Sequence, residues 1–202
     1  MPTQWAQVLF TDETWVNGTN HRKIYVTRRP GEELDPTCLR ERVQRPKGWM
    51  FWGSISGFQK GPCCFWEKAW GKISSESYRT HIIPRIAEYI YDHPGTILMQ
   101  DGAPGHRAAA TIDDLNQRGI TVLEWPPYSP DLNPIETLWN IMKDWIQRRY
   151  GHIDTISSYP RLRRIIEEAW EAIPDERVHE LIESMPARCQ AVIDANGGHT
   201  IY

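Results

Sequence analysis

Thr96-Ile97-Leu98-Met99-Gln100-Asp101 is the stretch on which the fold turns. It has an apolar centre. His93-Pro94-Gly95 closes it on one side, and Gly102, Pro104 and Gly105 close it on the other. A short apolar run between turn signals has the form of a parallel strand buried on both faces. Parallel strands need crossovers, usually helical. Upstream, Ser74 or Ser75 caps a helix predicted to reach about Asp92, with Tyr78, Ile82, Ile86 and Ile90 on one stripe and Pro84 kinking or dividing it. Downstream, the pattern predicts a helix from about His106 to Arg118, a strand from Ile120 to Trp125, and a helix reaching about Tyr150.

The front of the chain reads differently. Ala6 to Asp12 is a short strand ending in Thr11-Asp12-Glu13, and an Asn17-Gly18 turn leads to a returning strand over Lys23 to Thr27. Residues 28–47 are charged loop. Trp49 to Ser56 is an aromatic-rich strand in which Gly53 and Gly57 mark a bend or a close backbone approach. Pro62 to Trp66 is its candidate partner. After residue 150, helices are predicted over about Ile156 to Ala172 and Asp175 to Ala195, with a frayed tail at Gly197-Gly198. The order predicts an α/β mixed sheet, with antiparallel front strands and parallel crossover strands, flanked by helices.

Composition narrows the function classes. A chain of 202 residues with 24% charged residues reads as one soluble domain with a sizeable core. No apolar run is long enough to span a membrane, and the N-terminus lacks the pattern of a signal peptide. Cys38, Cys63, Cys64 and Cys189 form no C-x-x-C pair, so reduced thiols are expected and a zinc site is not. A net charge of −3 argues against a free-standing nucleic-acid-binding module. It allows a local basic strip, and Arg22, Lys23, Arg28, Arg29, Arg40, Arg42, Arg45 and Lys47 make one. Arg148, Arg149, Arg161, Arg163 and Arg164 make a second cluster. Each cluster reads equally as a phosphate-holding surface or as a solvated charged face.

Three acids stand out by position. Asp12 ends the first strand and Asp101 ends the buried one. Glu136 begins a helix, in Tyr128-Ser129-Pro130-Asp131-Leu132-Asn133-Pro134-Ile135-Glu136. There Asn133 is a good N-cap and Pro134 suits the first turn. Glu136 at the third helical position has a plain role as a capping-box acid. It has a second role if the strands carrying Asp12 and Asp101 are neighbours, because ligands of open α/β sheets gather at the carboxyl ends of strands. Three converging carboxylates repel one another, and a hard divalent cation relieves that repulsion. Two such ions flanking a phosphodiester activate the attacking oxygen and stabilise the leaving one. Glu13 alternates to the opposite face of its strand and is set aside. Leu138, Trp139, Met142, Trp145 and Ile146 form an apolar stripe that leaves Glu136 and Asn140 on a freer face.

The motifs resemble those of a known family. Phe10-Thr11-Asp12-Glu13-Thr14, Trp52-Gly53-Ser54-Ile55-Ser56, Met99 to His106 (MQDGAPGH) and Tyr128 to Trp139 (YSPDLNPIETLW) are similar to the signature segments of Tc/mariner-type transposases, members of the Asp-Asp-Glu superfamily. The 34 residues between Asp101 and Glu136 are a spacing that the family uses when its third acid is Glu. The match covers residues 5 to about 150. Gly102 stands where many members have Asn, which leaves the carboxylates intact.

The resemblance implies a ribonuclease H-like catalytic domain over residues 1–150, with residues 151–202 as its helical C-terminal extension. It implies Asp12, Asp101 and Glu136 as catalytic ligands of two Mg2+ ions, replaceable by Mn2+, with no small-molecule organic cofactor. The partners implied are transposon-end and target DNA and a second copy of the chain, with no membrane, and the location is the nucleus. The implied reaction is DNA strand cleavage followed by strand transfer, without the N-terminal DNA-binding modules of full transposases. His106, near Asp101, reads either as an accessory residue or as local packing. The alternatives are a truncated or domesticated transposase remnant that binds DNA or protein without catalysis, and a stand-alone nuclease using the same acids.

Overall fold

Strand β1, Val8–Asn17, lies at the centre of the sheet and organises both of its faces. It runs antiparallel to β2, Gly48–Ser56, with Asp12 opposite Gly53. On its other edge it runs parallel to β5, Ile97–Met99, with Phe10 opposite Met99. The short strands β3, Gln59–Lys60, and β4, Cys64–Phe65, both pair with β2. The sheet order is β3-β2-β1-β5, which is the mixed sheet expected. The computed structural model describes residues 4–18, 29–31, 47–57, 59–151, 156, 158–198 and 200–202. The returning strand expected over Lys23 to Thr27 lies outside the described residues.

Alternation along β1 divides the core in two. Phe10 points to one side, where Phe51, Ile55 and Met99 meet Leu138, Trp139 and Met142 of α5 (Pro134–Tyr150). This core continues through Ile166 and Trp170 of α6 (Tyr159–Glu171), Val178 of α7 (Asp175–Glu183) and Met185 of α8 (Met185–Asp194). Leu9 points the other way, packing with Trp52 and Leu98 against Tyr78 of α1 (Ser75–His81), Ile86 of α2 (Ile83–Asp92), and Leu115 of α4 (Ala109–Gln117). The indoles of Trp139 and Trp170 meet at 5.4 Å, and Phe51 packs edge-on against both.

Local chemistry explains where the helices divide. Ser74 and Ser77 cap each other reciprocally at the start of α1. Pro84 sits in the first turn of α2, so the single expected helix is two, joined at Ile82. The helix expected from His106 to Arg118 is α3, Pro104–Arg107, and α4, separated by Ala108 in an extended conformation. Pro186 opens α8 in the same way, dividing the last expected helix at Ser184. The strand expected over Ile120 to Trp125 is reduced to one bridge, Leu98 to Val122, with Leu123 N–H donating to Leu98 O at 2.7 Å. Pro126 and Pro127 follow at once, and neither has an N–H with which to extend the ladder.

The C-terminal tail is docked rather than frayed. Thr200 Oγ1 donates to Asp131 Oδ2 at 3.0 Å, and the Arg188 guanidinium stands 4.6 Å from the centre of the Tyr202 ring. Among the described residues no helix is long and apolar enough to cross a membrane.

Candidate active site

Because β1 and β5 are parallel neighbours in register, Asp12 and Asp101 lie side by side, two positions beyond the Phe10–Met99 pair. The first strand does not end at Asp12, as expected, but runs on to Asn17 because β2 continues to pair with it, whereas β5 stops at Met99. Thr11 Oγ1 donates to Met99 O at 2.9 Å and ties β1 to the end of β5. Asp12 shares the face of Phe10 and so points toward α5. Its Oδ2 accepts a hydrogen bond from Trp139 Nε1 at 3.1 Å. Burial, the Glu136 carboxylate and then Glu13 together push the Asp12 carboxyl up to about 8.

Glu136 arrives from the other direction. Pro130–Leu132 forms a single 3-10 turn, Asn133 Oδ1 accepts from Ile135 N–H at 3.4 Å, and Pro134 opens α5. Asn133 Nδ2 also donates to Thr11 O at 3.4 Å, fixing the start of α5 to β1. The cap is therefore made by Asn133, and Glu136 lines the cleft.

That cleft is open, about 460 Å³, and has Asp12, Asp101 and Glu136 all on its wall. Met99, Asn133, Trp125 and the Pro126–Pro130 segment complete it, with Arg107 on the side of α3. Tyr128, between two prolines at the mouth, is fully exposed and has a φ of 56°, an uncommon conformation for a residue with a Cβ. A second cleft of about 680 Å³ shares Pro126–Pro130 and Glu136 with the first and extends to Asn140 and Arg188.

The acids share the cleft without forming a closed cage. Among the described residues, no three His, Cys, Asp or Glu side chains stand close enough to hold an ion as they are. Asp101 is held by its own neighbours: its Oδ1 accepts from Ala103 N–H at 2.9 Å and His106 Nδ1 at 2.6 Å. These bonds, His106 foremost, hold the Asp101 carboxyl below its ordinary range. The donor set still fits a hard divalent cation. It is all carboxylate oxygen, one member is kept from ionising by its surroundings, and water has access.

His106 is buried, and its ring lies 4.2 Å from that of Tyr78. Burial opposes its charge, but the bond to Asp101 and the nearby Glu13 outweigh it and raise the imidazole to about 9. Glu13 does point away from the cleft, as alternation requires, yet its Oε1 lies 3.6 Å from His106 Nε2. Spacing along the chain held no sign of that contact. Trp139, expected only as core, is also the donor to Asp12. Arg188 was likewise not legible as a site residue. It is buried, and it donates to Asp131 O at 2.7 Å and Thr137 Oγ1 at 2.9 Å, on either side of Glu136.

Of the eight basic residues between 22 and 47, Arg22, Lys23, Arg28, Arg40, Arg42 and Arg45 lie outside the described residues. Arg29 and Lys47 are described, and the Lys47 ammonium stands 4.9 Å from the centre of the Tyr159 ring. In the second cluster Arg163 pairs with Glu67 at 2.6 Å and lies over Trp49 and Phe65, so it packs against the fold.

Comparison with known proteins adds three findings. Residues 7–157 match the model of the DDE superfamily endonuclease family. The chain is 33% identical over 202 residues to the transposable element Tc1 transposase of Caenorhabditis elegans, covering 98% of this chain and 71% of that protein. Among solved structures, a Mos1 transposase paired-end complex with left transposon end superposes with a TM-score of 0.78 at 20% identity, over 98% of this chain and 58% of that one. A Mos1 paired-end complex with Mg gives 0.75 at 20% identity, over 98% of this chain and 57% of that one.

Proposed function

The chain belongs to the DDE superfamily endonucleases, and we propose that it is the catalytic domain of a Tc1/mariner-type transposase, cutting DNA at element ends and joining the freed 3′-hydroxyl to target DNA. The observation that carries this is that one cleft has on its wall Asp12 from within β1, Asp101 from just beyond the end of β5, and Glu136 from the first turn of α5.

The residues divide the work. Asp12 and Glu136 face each other from β1 and α5 and form the more enclosed side of the site. Asp101 forms the open side, toward solvent. Divalent ions held by these acids, Mg2+ or Mn2+, would supply the Lewis acidity that phosphodiester cleavage and transfer require. Trp139 holds Asp12 in place and excludes water from behind it. Asn133 and Pro134 deliver Glu136 at a rigid helix start. The open cleft suits an extended strand. Residues 1–150 form the catalytic unit in this reading, and residues 151–202 support it from below α5. Transposition needs two element ends brought together, which calls for two copies of the chain, and in this reading the protein acts on chromosomal DNA in the nucleus.

The test is direct. Purified protein is given a duplex and Mg2+, and then a pre-cut duplex with a free 3′-hydroxyl. Mg2+-dependent nicking and joining are expected, and Asp12→Asn, Asp101→Ala and Glu136→Gln should each lower them by about a hundredfold to a thousandfold, the scale on which removing a transition-state-stabilising group acts. Nicking without joining would point to a stand-alone nuclease. No nicking at high protein concentration would favour the non-catalytic remnant.

A further inference from the structure

Two buried polar atoms face each other on the side of β1 away from the cleft. Glu13 Oε1 and His106 Nε2 are 3.6 Å apart, within ion-pair range, and neither has a hydrogen-bond partner. The Glu13 side chain is 11% exposed and that of His106 4%. Tyr78 covers the imidazole, and Gln100 Nε2 donates to His106 O at 3.3 Å, so the ring is confined. Its other nitrogen, Nδ1, lies 2.6 Å from Asp101 Oδ1. A continuous line of side chains thus passes from the α1 side of the sheet to the cleft wall: Glu13, His106, Asp101.

Such a line is costly to bury. A carboxylate and an imidazole buried beside the Tyr78 ring and Gln100 lose hydration that one ion pair recovers only in part. Replacing such a pair by apolar side chains is often neutral or stabilising. The geometry gives the pair a task. Both ring nitrogens face carboxylate oxygens, so the imidazole cannot rotate without breaking one contact. Asp101 Oδ1 is held by Ala103 and His106 together, which leaves its other oxygen for the cleft.

We propose that Glu13 and His106 are positioning residues for Asp101, with Glu13 fixing the imidazole and the imidazole fixing the carboxylate orientation that receives a divalent ion. The inference rests on Asp101 being an ion ligand, as argued above. Outer groups that orient a ligand change metal affinity or activity by about 10–100-fold when lost.

The experiment is Mn2+ titration calorimetry on the full chain, with thermal melting of the metal-free protein alongside. Glu13→Gln should weaken Mn2+ binding by about tenfold, at the lower end of that range. His106→Asn places an amide donor where Nδ1 stands but loses the link to Glu13, so it should bind about tenfold more weakly, as Glu13→Gln does, and His106→Ala should bind more weakly still. Adding Glu13→Gln to His106→Asn should then change nothing further, because the link to Glu13 is already cut. A purely structural pair would lower the melting temperature and leave Mn2+ affinity intact, and that result overturns the proposal. Asp101→Ala separates the two levels. If it abolishes binding and Glu13→Gln does not weaken it, the positioning role alone is wrong. If Asp101→Ala binds Mn2+ like the wild type, the site itself is wrong and the positioning role falls with it.

Discussion

Trp139 Nε1 donates to Asp12 Oδ2 at 3.1 Å, joining α5 to β1 across 127 positions of sequence. The same indole packs against Phe51 and Trp170 in the main core. Core packing and the placement of a site carboxylate are therefore one structural fact. Trp139→Phe keeps most of the apolar contact and removes the donor. It should cost about 0.5–1.5 kcal/mol near neutral pH, the scale for a hydrogen bond to an uncharged group, since the Asp12 carboxyl is pushed up to about 8. For a domain of this size that is a melting-temperature loss of roughly 1–6 °C. DNA cleavage should fall further than stability alone explains, measured at a temperature where both proteins are folded.

Gly53 lies opposite Asp12 on β2, and a Cβ there would stand 2.8 Å from Trp139 Cη2 and 3.3 Å from Trp170 Cη2. Gly53→Ala should force both indoles to shift and cost about 1–3 kcal/mol, the usual range for overpacking a core. Differential scanning calorimetry checks the stability. Metal titration should reveal weakened ion binding, because the displaced indole is the one that holds Asp12.

The Asp12 carboxyl, pushed up to about 8, has a definite pH signature in the metal-free protein. An aspartate in the unfolded chain loses its proton near pH 4, at about 3.9. Between that value and about 8 the folded state holds a proton that the unfolded state has lost. The stability linked to this group is therefore fully present below about pH 4 and is lost as pH rises through about 8. Asp12→Asn removes the dependence. At pH 8 and without metal it should melt about 2–8 °C higher than the wild type, equivalent to roughly 1–2 kcal/mol, while losing cleavage. In the wild type, divalent-ion affinity should rise with pH toward about 8, since the ion competes with that proton.

Arg188 holds Asp131 O and Thr137 Oγ1 from α8. Arg188→Met keeps much of the side chain's bulk but leaves these acceptors without their donor inside the fold. A loss of about 1.5–3 kcal/mol is expected, the scale for hydrogen bonds from a charged group to half-buried acceptors. The segment from Pro130 to Glu136 should also exchange its amide hydrogens faster.

Single residues and spacings were enough to read much of this protein. The buried strand ending at Asp101 was legible because turn signals enclose an apolar run. The start of α5 was legible because Asn133 and Pro134 have strong positional preferences. Divisions within helices were less so. Pro84 and Pro186 each announce one, whereas Ala108 gave no local warning. The strand expected before Pro126 shrank to a bridge because pairing depends on the neighbour's length as well as on the segment's own pattern.

Strand periodicity, helix-start chemistry and motif spacing are local properties of the chain, and they suffice to specify the mixed sheet and the three acids. Folding is what makes β1 and β5 parallel neighbours and so sets Asp12 beside Asp101. It alone brought Trp139 to Asp12, Glu13 to His106 and Arg188 to the turn before Glu136. Those contacts join residues 51 to 127 positions apart or cross between faces of the sheet. Their energies exist only once the chain has folded, so no local pattern could have carried them.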